Sequence, residues 1–418
     1  MNTQISKQLH NAKRASTQFG LLSHSKRVLI LKNLAMGLRK NKKEILRANA
    51  KDLKNLLSSD PMRDRLLLDD ERIEGMAREI EVIMKMPDPL GEVFDCLEKN
   101  GLKICRVRVP MGVVCIIYES RPNVTTDVAA ICIKSGNAAV LKGGKEARES
   151  YIALHKIIKQ ALLSGGANSD TIQFIDPEIK NAAGTIISAN GVVDVVVPRG
   201  SQNLINYVRE NATVPFIETG VGVCHTFVDE SAKLARAADV VFNAKTQRPN
   251  VCNSLDTLLV HKDISKKFMP MVSELLAKKE VEIFADPKSF EILKKTYPTK
   301  LLRKAKSADF GREFLSQKMS VKIVSGLDQA IEHIGKYSSK HSEAILSENK
   351  KNCTKFLSAV DAAAVYANAS TRFSDGAMFG LGSELGISTS KLHARGPMGP
   401  KEITTYKWVV RGDYSIRK

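Results

Sequence analysis

Short apolar runs alternate with longer stretches of helical spacing between Val113 and Val228, and this alternation constrains the fold more than any other feature. The apolar runs cover residues 113–118, 138–141, 172–175, 192–197 and 226–228. The helical stretches cover residues 124–135, 146–163, 182–189 and 201–211. Strands that alternate with helices predict a parallel sheet with helices on both faces. We therefore predict an α/β fold for this part of the chain.

Two further regions flank this alternation. Residues 23–57 carry leucines near helical spacing, and Ser23 or Ser25 is available as an N-cap, so they predict a helical N-terminal region. Residues 257–369 again mix strand-like and helix-like segments, which predicts a second α/β domain. A short strand-like segment, residues 406–410, follows near the end.

Length and composition limit the class of protein. With 418 residues and 43% hydrophobic content, the chain can bury the cores of two or three domains. No stretch approaches the roughly 20 apolar residues of a membrane span, and residues 1–20 lack the apolar core of a signal peptide. We therefore expect a cytoplasmic protein without membrane contact. Seven cysteines without a Cys-x-x-Cys pair argue against a disulfide framework and a zinc site.

The formal net charge of +19 is compatible with nucleic acid, a membrane surface or small anionic ligands. The basic residues are spread over helical stretches such as 39–43, mixed with acids, and are not interleaved with aromatic residues. That distribution favours solvated helix faces over a nucleic-acid surface. A basic nucleic-acid-binding protein is therefore the more distant alternative.

Several segments resemble nucleotide-binding or metal-binding motifs but do not have the residue spacing that those motifs require. Residues 142–145, Lys-Gly-Gly-Lys, have Ala139 where a P-loop needs glycine and Glu146 where it needs serine or threonine. Residues 220–222 and 380–382 lack the third glycine of the Rossmann fingerprint. Eight histidines contain no His-x-x-x-His pair, so we predict no metal site.

Cys252 is the one cysteine with the surroundings of a reactive thiol. It has Lys245 and Arg248 within seven residues, Asn253 beside it, and the mostly apolar run 255–260 after it. Nearby cations favour the thiolate, which is the nucleophilic form. The local sequence leaves a second interpretation open, namely a small buried side chain at the start of a strand.

Four loops at predicted strand ends carry polar or glycine residues, and such ends are where open sheets bind ligands. They are residues 118–123, 142–145, 198–201 and 218–220. In the first loop, Pro122 restricts the backbone before Asn123, whose amide is a candidate donor. The second loop suits a phosphate, and Ser201 starts a helix whose amides favour an anion. Ordinary turns and a plain helix cap are the alternatives.

Seven segments carry a resemblance to a known family. They are residues 109–124, 134–147, 243–254, 341–345, 365–373, 379–389 and 393–398. In these segments, in order, the chain resembles the gamma-glutamyl phosphate reductases of the aldehyde dehydrogenase superfamily. Agreement of this extent is far more specific than any short motif.

The resemblance implies an aldehyde dehydrogenase-like α/β fold with three parts. Residues 1–100 and 109–223 would form the NADPH-binding domain with its parallel sheet, and residues 224–395 the α/β catalytic domain. Residues 101–108 and 396–418 would supply a hairpin and a C-terminal strand for oligomerisation.

The resemblance also implies a reaction, the NADPH-dependent reduction of L-glutamyl 5-phosphate to L-glutamate 5-semialdehyde and phosphate. This is the second step of proline biosynthesis from glutamate. Cys252 falls at the position of the nucleophile and would carry a thioester. Asn123 and the backbone N–H of Cys252 would hold the oxyanion of the attacked carbonyl.

The implied cofactor is NADPH. Lys145 lies where NAD-preferring members often carry an acid, so its cation suits the 2′-phosphate. Ser201 would lie beside the pyrophosphate, and Glu313 resembles the glutamate that holds the nicotinamide ribose. The residues implied at the cofactor are Lys142, Gly143, Gly144, Lys145, Gly200, Ser201 and Glu313.

Three further residues have implied or excluded roles. Arg121 and Arg395 are candidates for the carboxylate or phosphate of the substrate, with surface ion pairing as the alternative. A water-activating base at Glu218, as in aldehyde-oxidising relatives, would waste the thioester, so we expect a structural residue or a modest proton shuttle. An oxidising aldehyde dehydrogenase is the nearest alternative function. The expected partners are the acyl phosphate, further copies of the chain and glutamate 5-kinase.

Overall fold

Five helices precede the first strand of the computed structural model, which describes residues 3–54, 56–57, 60, 62–119 and 121–417. They are α1 (Thr3–Phe19), α2 (His24–Lys40), α3 (Lys42–Leu53), α4 (Met62–Leu66) and α5 (Asp70–Lys85). Strands and helices then alternate as β1 (Val93–Lys99), β2 (Leu102–Pro110), β3 (Val113–Tyr118), α6 (Pro122–Lys134), β4 (Ala138–Lys142), α7 (Arg148–Ser164), β5 (Ile172–Phe174), α8 (Ala182–Ile187), β6 (Val195–Arg199) and α9 (Gln202–Asn211).

The remaining elements follow the same alternation up to the C-terminal strands. They are β7 (Cys224–Val228), α10 (Leu234–Thr246), β8 (Leu255–His261), α11 (Lys262–Ala277), β9 (Glu282–Ala285), α12 (Pro287–Leu293), β10 (Leu302–Lys304), β11 (Lys318–Val324), α13 (Leu327–Tyr337), β12 (Ser342–Leu346), α14 (Lys350–Ala359), β13 (Ala364–Ala367), β14 (Ile387–Ser388), β15 (Gly396–Pro397) and β16 (Thr404–Arg411). None of the described helices is long and apolar enough to cross a membrane.

The chain folds into two units, each with its own parallel sheet. The first unit contains residues 1–219, 380–386 and 392–418, and the second contains residues 220–379 and 387–391. The predicted boundaries and functions of the three parts of the chain stay a prediction.

The sheet of the first unit has the strand order β5-β4-β3-β6, with all strands parallel. Alternate residues of β3 point to opposite faces and enter two different cores. Val114 and Ile116 pack with the core that includes α2, α5, α6 and α7, whereas Val113 and Cys115 pack with residues of α1 and α8. Because both faces are covered, β3 is apolar throughout, and the predicted strand 113–118 is confirmed.

Helix α1 is an element that the sequence patterns did not predict. Its buried residues include Ile5, Leu9 and Ala12, which lie on one face at helical spacing. Mixed polar residues between them hide this short apolar stripe. In contrast, the predicted helical region 23–57 is confirmed by α2, whose N-cap Ser23 accepts from the N–H of Lys26, and by α3.

The second unit contains a seven-stranded parallel sheet in the order β10-β9-β11-β8-β7-β12-β13. Strand β8 lies at its centre, and all seven of its residues are buried. Helices α10 and α11 flank this strand in the chain, and their apolar faces share one core with it. The predicted second α/β domain is therefore present.

Strands β1, β2 and β16 form a separate antiparallel sheet in the first unit, with β2 in the middle. Asn100 and Gly101 both have positive φ, 52° and 73°, as a two-residue hairpin turn requires. The hairpin expected near residues 101–108 is thus formed by β1 and β2 around this turn.

The cysteine count was misleading at this hairpin. Cys96 and Cys105 form a disulfide across β1 and β2, nine residues apart in sequence. The argument against disulfides from an odd cysteine number is therefore wrong for this pair. Motif spacing cannot detect such a pair, because strand register brings its members together.

Asp52 of α3 supplies the cap that the start of α7 lacks locally. Its carboxylate accepts from the N–H groups of Glu149 and Ser150 at 3.0 and 2.9 Å, and from the Ser150 hydroxyl at 2.6 Å.

We expect Asp52→Ala to lower the free energy of unfolding by about 2 kcal/mol, because it leaves these donors without an acceptor. Urea unfolding measures the change. Asp52→Asn keeps one acceptor oxygen and should lose less; equal stability of the alanine variant and the parent would contradict the assignment.

Candidate active site

Three of the four predicted loops leave the same edge of the first sheet. Strands β4, β3 and β6 are neighbours and parallel, so their carboxyl ends coincide. Lys142 lies opposite Ile117, and Arg199 lies opposite Tyr118. The structure therefore brings residues 118–123, 142–145 and 198–201 together, although Ser120 lies outside the described residues.

The loop after β4 approaches an aromatic side chain at Gly143. A Cβ at this position would overlap the ring of Tyr151, so only glycine fits there. Lys142 is half-buried, and burial lowers the pKa of its ammonium group. Lys145 follows Gly144 at the start of a short 3₁₀ turn and is exposed. The loop thus presents one partly desolvated cation and one solvated cation.

The N-terminus of α9 holds an anion supplied by the chain itself. The carboxylate of Glu119 accepts from the N–H of Ser201 at 2.8 Å and from its hydroxyl at 2.9 Å. A Cβ on Gly200 would come within 2.6 Å of the Glu119 carboxyl carbon. The sequence predicted that this helix end favours an anion, but it did not indicate Glu119 as that anion.

Asn123 stands in the first turn of α6, directly after the helix begins at Pro122. Its side-chain N–H donates to Oδ2 of Asp127, one turn later, at 2.9 Å. Arg121 occupies the N-cap position of the same helix. Arg395 also belongs to the first unit and is half-buried.

Glu218 forms an ion pair with Arg209 of α9. The Nε of Arg209 also donates to the second carboxylate oxygen at 3.2 Å. This pairing gives Glu218 a structural contact within the first unit.

Cys252 lies in the loop between α10 and β8 of the second unit and is half-buried. Burial raises the pKa of Cys115, Cys132 and Cys224, so these three thiols stay neutral. Cys353 is the other half-buried free cysteine. Accessibility therefore separates Cys252 and Cys353 from the remaining thiols.

The backbone around Cys252 is held from two sides. A Cβ on Gly222 would overlap the Cys252 carbonyl, and the thiol of Cys224 donates to that carbonyl oxygen at 3.2 Å. The next residue, Asn253, is held by residues 371–374, which accept from its side-chain amide and donate to its carbonyl, each at 2.8 Å. The loop that carries Cys252 is thus closely packed.

Lys245 does not supply the cation that the sequence indicated for Cys252. It is fully buried in α10, donates to the carbonyl of Leu255 at 2.8 Å, and lies 3.8 Å from Asp256. Burial lowers the pKa of Lys245 to about 8 and raises the pKa of Asp256 to about 7. The proximity in sequence is misleading because α10 turns this side chain into the core.

Arg372 is a cation that the structure places in electrostatic contact with Cys252, and Arg248 interacts electrostatically with Arg372. Burial lowers the pKa of its guanidinium, and the negative charges of Asp375 and of the Cys252 thiolate oppose that effect. Its Nε donates to the side chain of Gln247 at 2.9 Å. The sequence analysis did not single out Arg372, although it lies in the segment 365–373 that carried the family resemblance.

Glu313, the predicted ligand of the nicotinamide ribose, lies in the second unit. One oxygen accepts from the N–H of Gly222 at 3.0 Å. This hydrogen bond connects Glu313 to the glycine that contacts the Cys252 carbonyl.

The expectation of no metal site stays a prediction. Glu230, His261 and Asp263 bring three potential ligand atoms within 4.8 Å of one another. Two of these side chains are exposed acids, and the Nδ1 of His261 already accepts from the N–H of Asp263 at 3.3 Å. This group has the character of a helix cap with neighbouring surface charges.

Comparison with known proteins decides the family. The sequence model of the aldehyde dehydrogenase family matches residues 1–289. The chain belongs to the aldehyde dehydrogenase family. The predicted fold class and the predicted oxidoreductase class are confirmed, and a nicotinamide cofactor follows from the family.

The chain is similar to individual members of this family. A gamma-glutamyl phosphate reductase from Legionella pneumophila (strain Paris) is 49% identical over 420 residues, which cover both chains completely. The crystal structure of gamma-glutamyl phosphate reductase from Thermotoga maritima is 43% identical, with a TM-score of 0.94, and covers 99% of this chain and 100% of that chain. An engineered glycolyl-CoA reductase with bound NADP⁺ shares the fold at 16% identity and a TM-score of 0.71, covering 99% and 98%. The predicted resemblance is confirmed.

Substitution of Arg372 tests whether this residue favours the thiolate form of Cys252. We expect Arg372→Gln to slow the alkylation of Cys252 by iodoacetamide at pH 7 by about three- to tenfold, because loss of the cation disfavours the thiolate. Mass spectrometry of the Cys252 peptide measures the rate, and the Cys353 peptide is the internal reference. Arg372→Lys keeps the charge and should stay closer to the parent; unchanged Cys252 alkylation in the glutamine variant would remove Arg372 from this role.

Proposed function

We propose that the chain reduces L-glutamyl 5-phosphate to L-glutamate 5-semialdehyde and phosphate, with NADPH as the reductant and Cys252 as the nucleophile. Full-length relatives at 48–49% identity are named gamma-glutamyl phosphate reductases. The observation that carries the mechanism is the placement of Cys252, an accessible thiol on a tightly held loop with Arg372 nearby. The product is an intermediate of proline biosynthesis from glutamate.

The thiolate of Cys252 attacks the acyl carbon in the proposed reaction. A bond from Sγ to carbon forms, the bond from carbon to the phosphate oxygen breaks, and phosphate leaves with its electron pair. Asn123 and the backbone N–H of Cys252 hold the carbonyl oxygen while it is anionic, an effect typically worth about 100- to 1,000-fold for each donor. A closely held loop suits this role, because Gly222 and Cys224 restrict the position of the Cys252 backbone.

The residues at the edge of the first sheet fit a dinucleotide phosphate. Ser201 already donates two hydrogen bonds to a carboxylate, so the start of α9 accommodates an anion, and pyrophosphate bound there requires Glu119 to leave. Lys142, Gly143, Gly144 and Gly200 would line the same edge, Lys145 would meet the 2′-phosphate, and Glu313 would hold the nicotinamide ribose. When bound, NADPH supplies the hydride that reduces the thioester to the aldehyde.

Glu218 is not assigned as a base that activates water. Its ion pair with Arg209 stabilises the carboxylate as a structural group. The acyl group must also be protected from water until hydride arrives. Arg121 and Arg395 are the proposed partners of the carboxylate and phosphate of the substrate, because guanidinium groups bind both bidentately.

Copies of the chain are proposed to associate through the antiparallel sheet. Strands β1 and β16 form its edges, and Tyr406 and Trp408 of β16 are exposed. The guanidinium of Arg106 lies 5.0 and 5.3 Å from the centres of these two rings.

We also propose a cytoplasmic location. We propose contact with glutamate 5-kinase as well, since direct transfer from the kinase would protect the labile acyl phosphate.

The reverse reaction tests the proposed chemistry. Reduction of NADP⁺ by glutamate 5-semialdehyde should require phosphate, because phosphate must cleave the thioester. Cys252→Ser should lose activity by about 1,000-fold or more with the fold retained, whereas Cys353→Ser, the matched control, should remain active. Absorbance at the nicotinamide band measures both. Turnover without phosphate or arsenate would indicate an oxidising aldehyde dehydrogenase instead.

Lys145 tests the choice of cofactor. We expect Lys145→Ala to raise KM for NADPH by about tenfold, because a charge-assisted contact to the 2′-phosphate is lost. KM for NADH, which has no 2′-phosphate, should change little and serves as the control. An equal change with both cofactors would contradict the assignment, and steady-state kinetics with each one decides the question.

A further inference from the structure

Asp127 is a buried carboxyl that no step of the proposed reaction uses. It lies one helical turn after Asn123 on α6 and is 5% exposed. Residues four apart share a face of a helix, and Oδ2 of Asp127 accepts the side-chain N–H of Asn123 at 2.9 Å. The carboxyl therefore touches the amide to which we assign the oxyanion.

The surroundings of Asp127 favour a neutral carboxyl. The charged groups that face it are Glu79 of α5 and Arg199 at the end of β6. Burial, and then the charge of Glu79, raise the pKa of Asp127 well above its usual range, while Arg199 and the hydrogen bond from Asn123 oppose this. Glu79 is exposed, so the negative charge of the pair is better solvated there, and Asp127 keeps the proton.

A neutral acid at this place can orient an amide. The amide of Asn123 has two N–H donors at one end and an acceptor oxygen at the other. Oδ2 of Asp127 accepts from Asn123, while Oδ1 is buried and has no hydrogen-bond partner among the described residues, so the acid proton belongs on Oδ1 and Oδ2 stays an acceptor. Ser383 donates to Glu79 at 3.0 Å and holds that carboxylate in turn. An amide flipped by half a turn would set its oxygen against Oδ2.

We propose that Asp127 is a positioning residue, whose neutral carboxyl accepts one N–H of Asn123 and so presents the second N–H to the substrate oxyanion. This inference rests on the proposed role of Asn123. The absence of charge matters as much as the hydrogen bond. An ionised Asp127 would place a negative charge one hydrogen bond away from the donor and oppose the developing oxyanion.

Two substitutions separate the hydrogen bond from the charge. Asp127→Asn is neutral, similar in shape and accepts from Asn123, so kcat should stay within about threefold of the parent. Asp127→Leu removes the acceptor, and kcat should fall by about 100-fold, with KM for NADPH unchanged. Equal kcat in the leucine variant and the parent would overturn the proposal, as would equal loss in both folded variants.

The pH profile gives a readout that a purely structural role would not alter. Above its raised pKa, Asp127 ionises and parent activity should fall, whereas the asparagine variant cannot ionise, so the ratio of its kcat to that of the parent should rise with pH. Glu79→Gln removes the neighbouring charge, lowers the pKa of Asp127, and should move the alkaline loss to lower pH. A constant ratio across the profile contradicts the proposal even if the leucine variant does not fold.

A double-mutant cycle distinguishes this inference from the proposed function. Asn123→Ala should lower kcat by about 100-fold, and adding Asp127→Leu should cost less than about threefold more, because both changes remove the same donor. Full activity of Asn123→Ala would defeat the role of Asn123 itself. If Asn123→Ala lowers kcat and the loss in the double variant equals the product of the two single losses, the role of Asp127 is overturned while that of Asn123 stands.

Discussion

A parallel sheet needs cover on both faces, because its strands are joined by crossovers that place helices there. In the first unit β3 is 0–2% exposed along its whole length, and alternate residues enter different cores. In the second unit β8 is buried in the same way. Charged side chains are excluded from the buried length of β3, β4 and β6 and gather where these three strands end, whereas β8 also buries Asp256. The positions of Lys142, Arg199 and Glu119 follow from this exclusion.

Burial also sets the charge of groups that lie close to the candidate site residues of each unit. Cys224 stays a thiol and donates to the carbonyl of Cys252. His341, whose Nδ1 lies 3.9 Å from that sulfur, has a pKa lowered to about 4 by burial and is therefore neutral. In the first unit, burial raises the pKa of the Asp127 carboxyl. Neutral supporting groups contribute hydrogen bonds without a field that competes with thiolate or oxyanion.

Several candidate site residues could be proposed from the sequence, while the residues that contact them could not. Asn123 follows a predicted strand and a proline, and Cys252 stands out among seven cysteines. Arg372 lies 120 positions after Cys252, so only the family segment 365–373 signalled its importance. Lys245 shows the opposite error. It is near Cys252 in sequence and was therefore expected to favour the thiolate, but its side chain points into the core and pairs with Asp256.

The sequence by itself determined the alternation of strands and helices, the bounds of strands such as β3 and, through resemblance over its whole length, the family; it also singled out Cys252 as the nucleophile that we propose. These properties follow from local periodicity and from motifs whose residues are close together in the sequence. Only the tertiary structure decided the Cys96–Cys105 bridge, the anion at Ser201 and the buried carboxyl of Asp127 beside Asn123. Each depends on strand register, helix packing or desolvation, which arise from contacts between segments and have no period in the sequence.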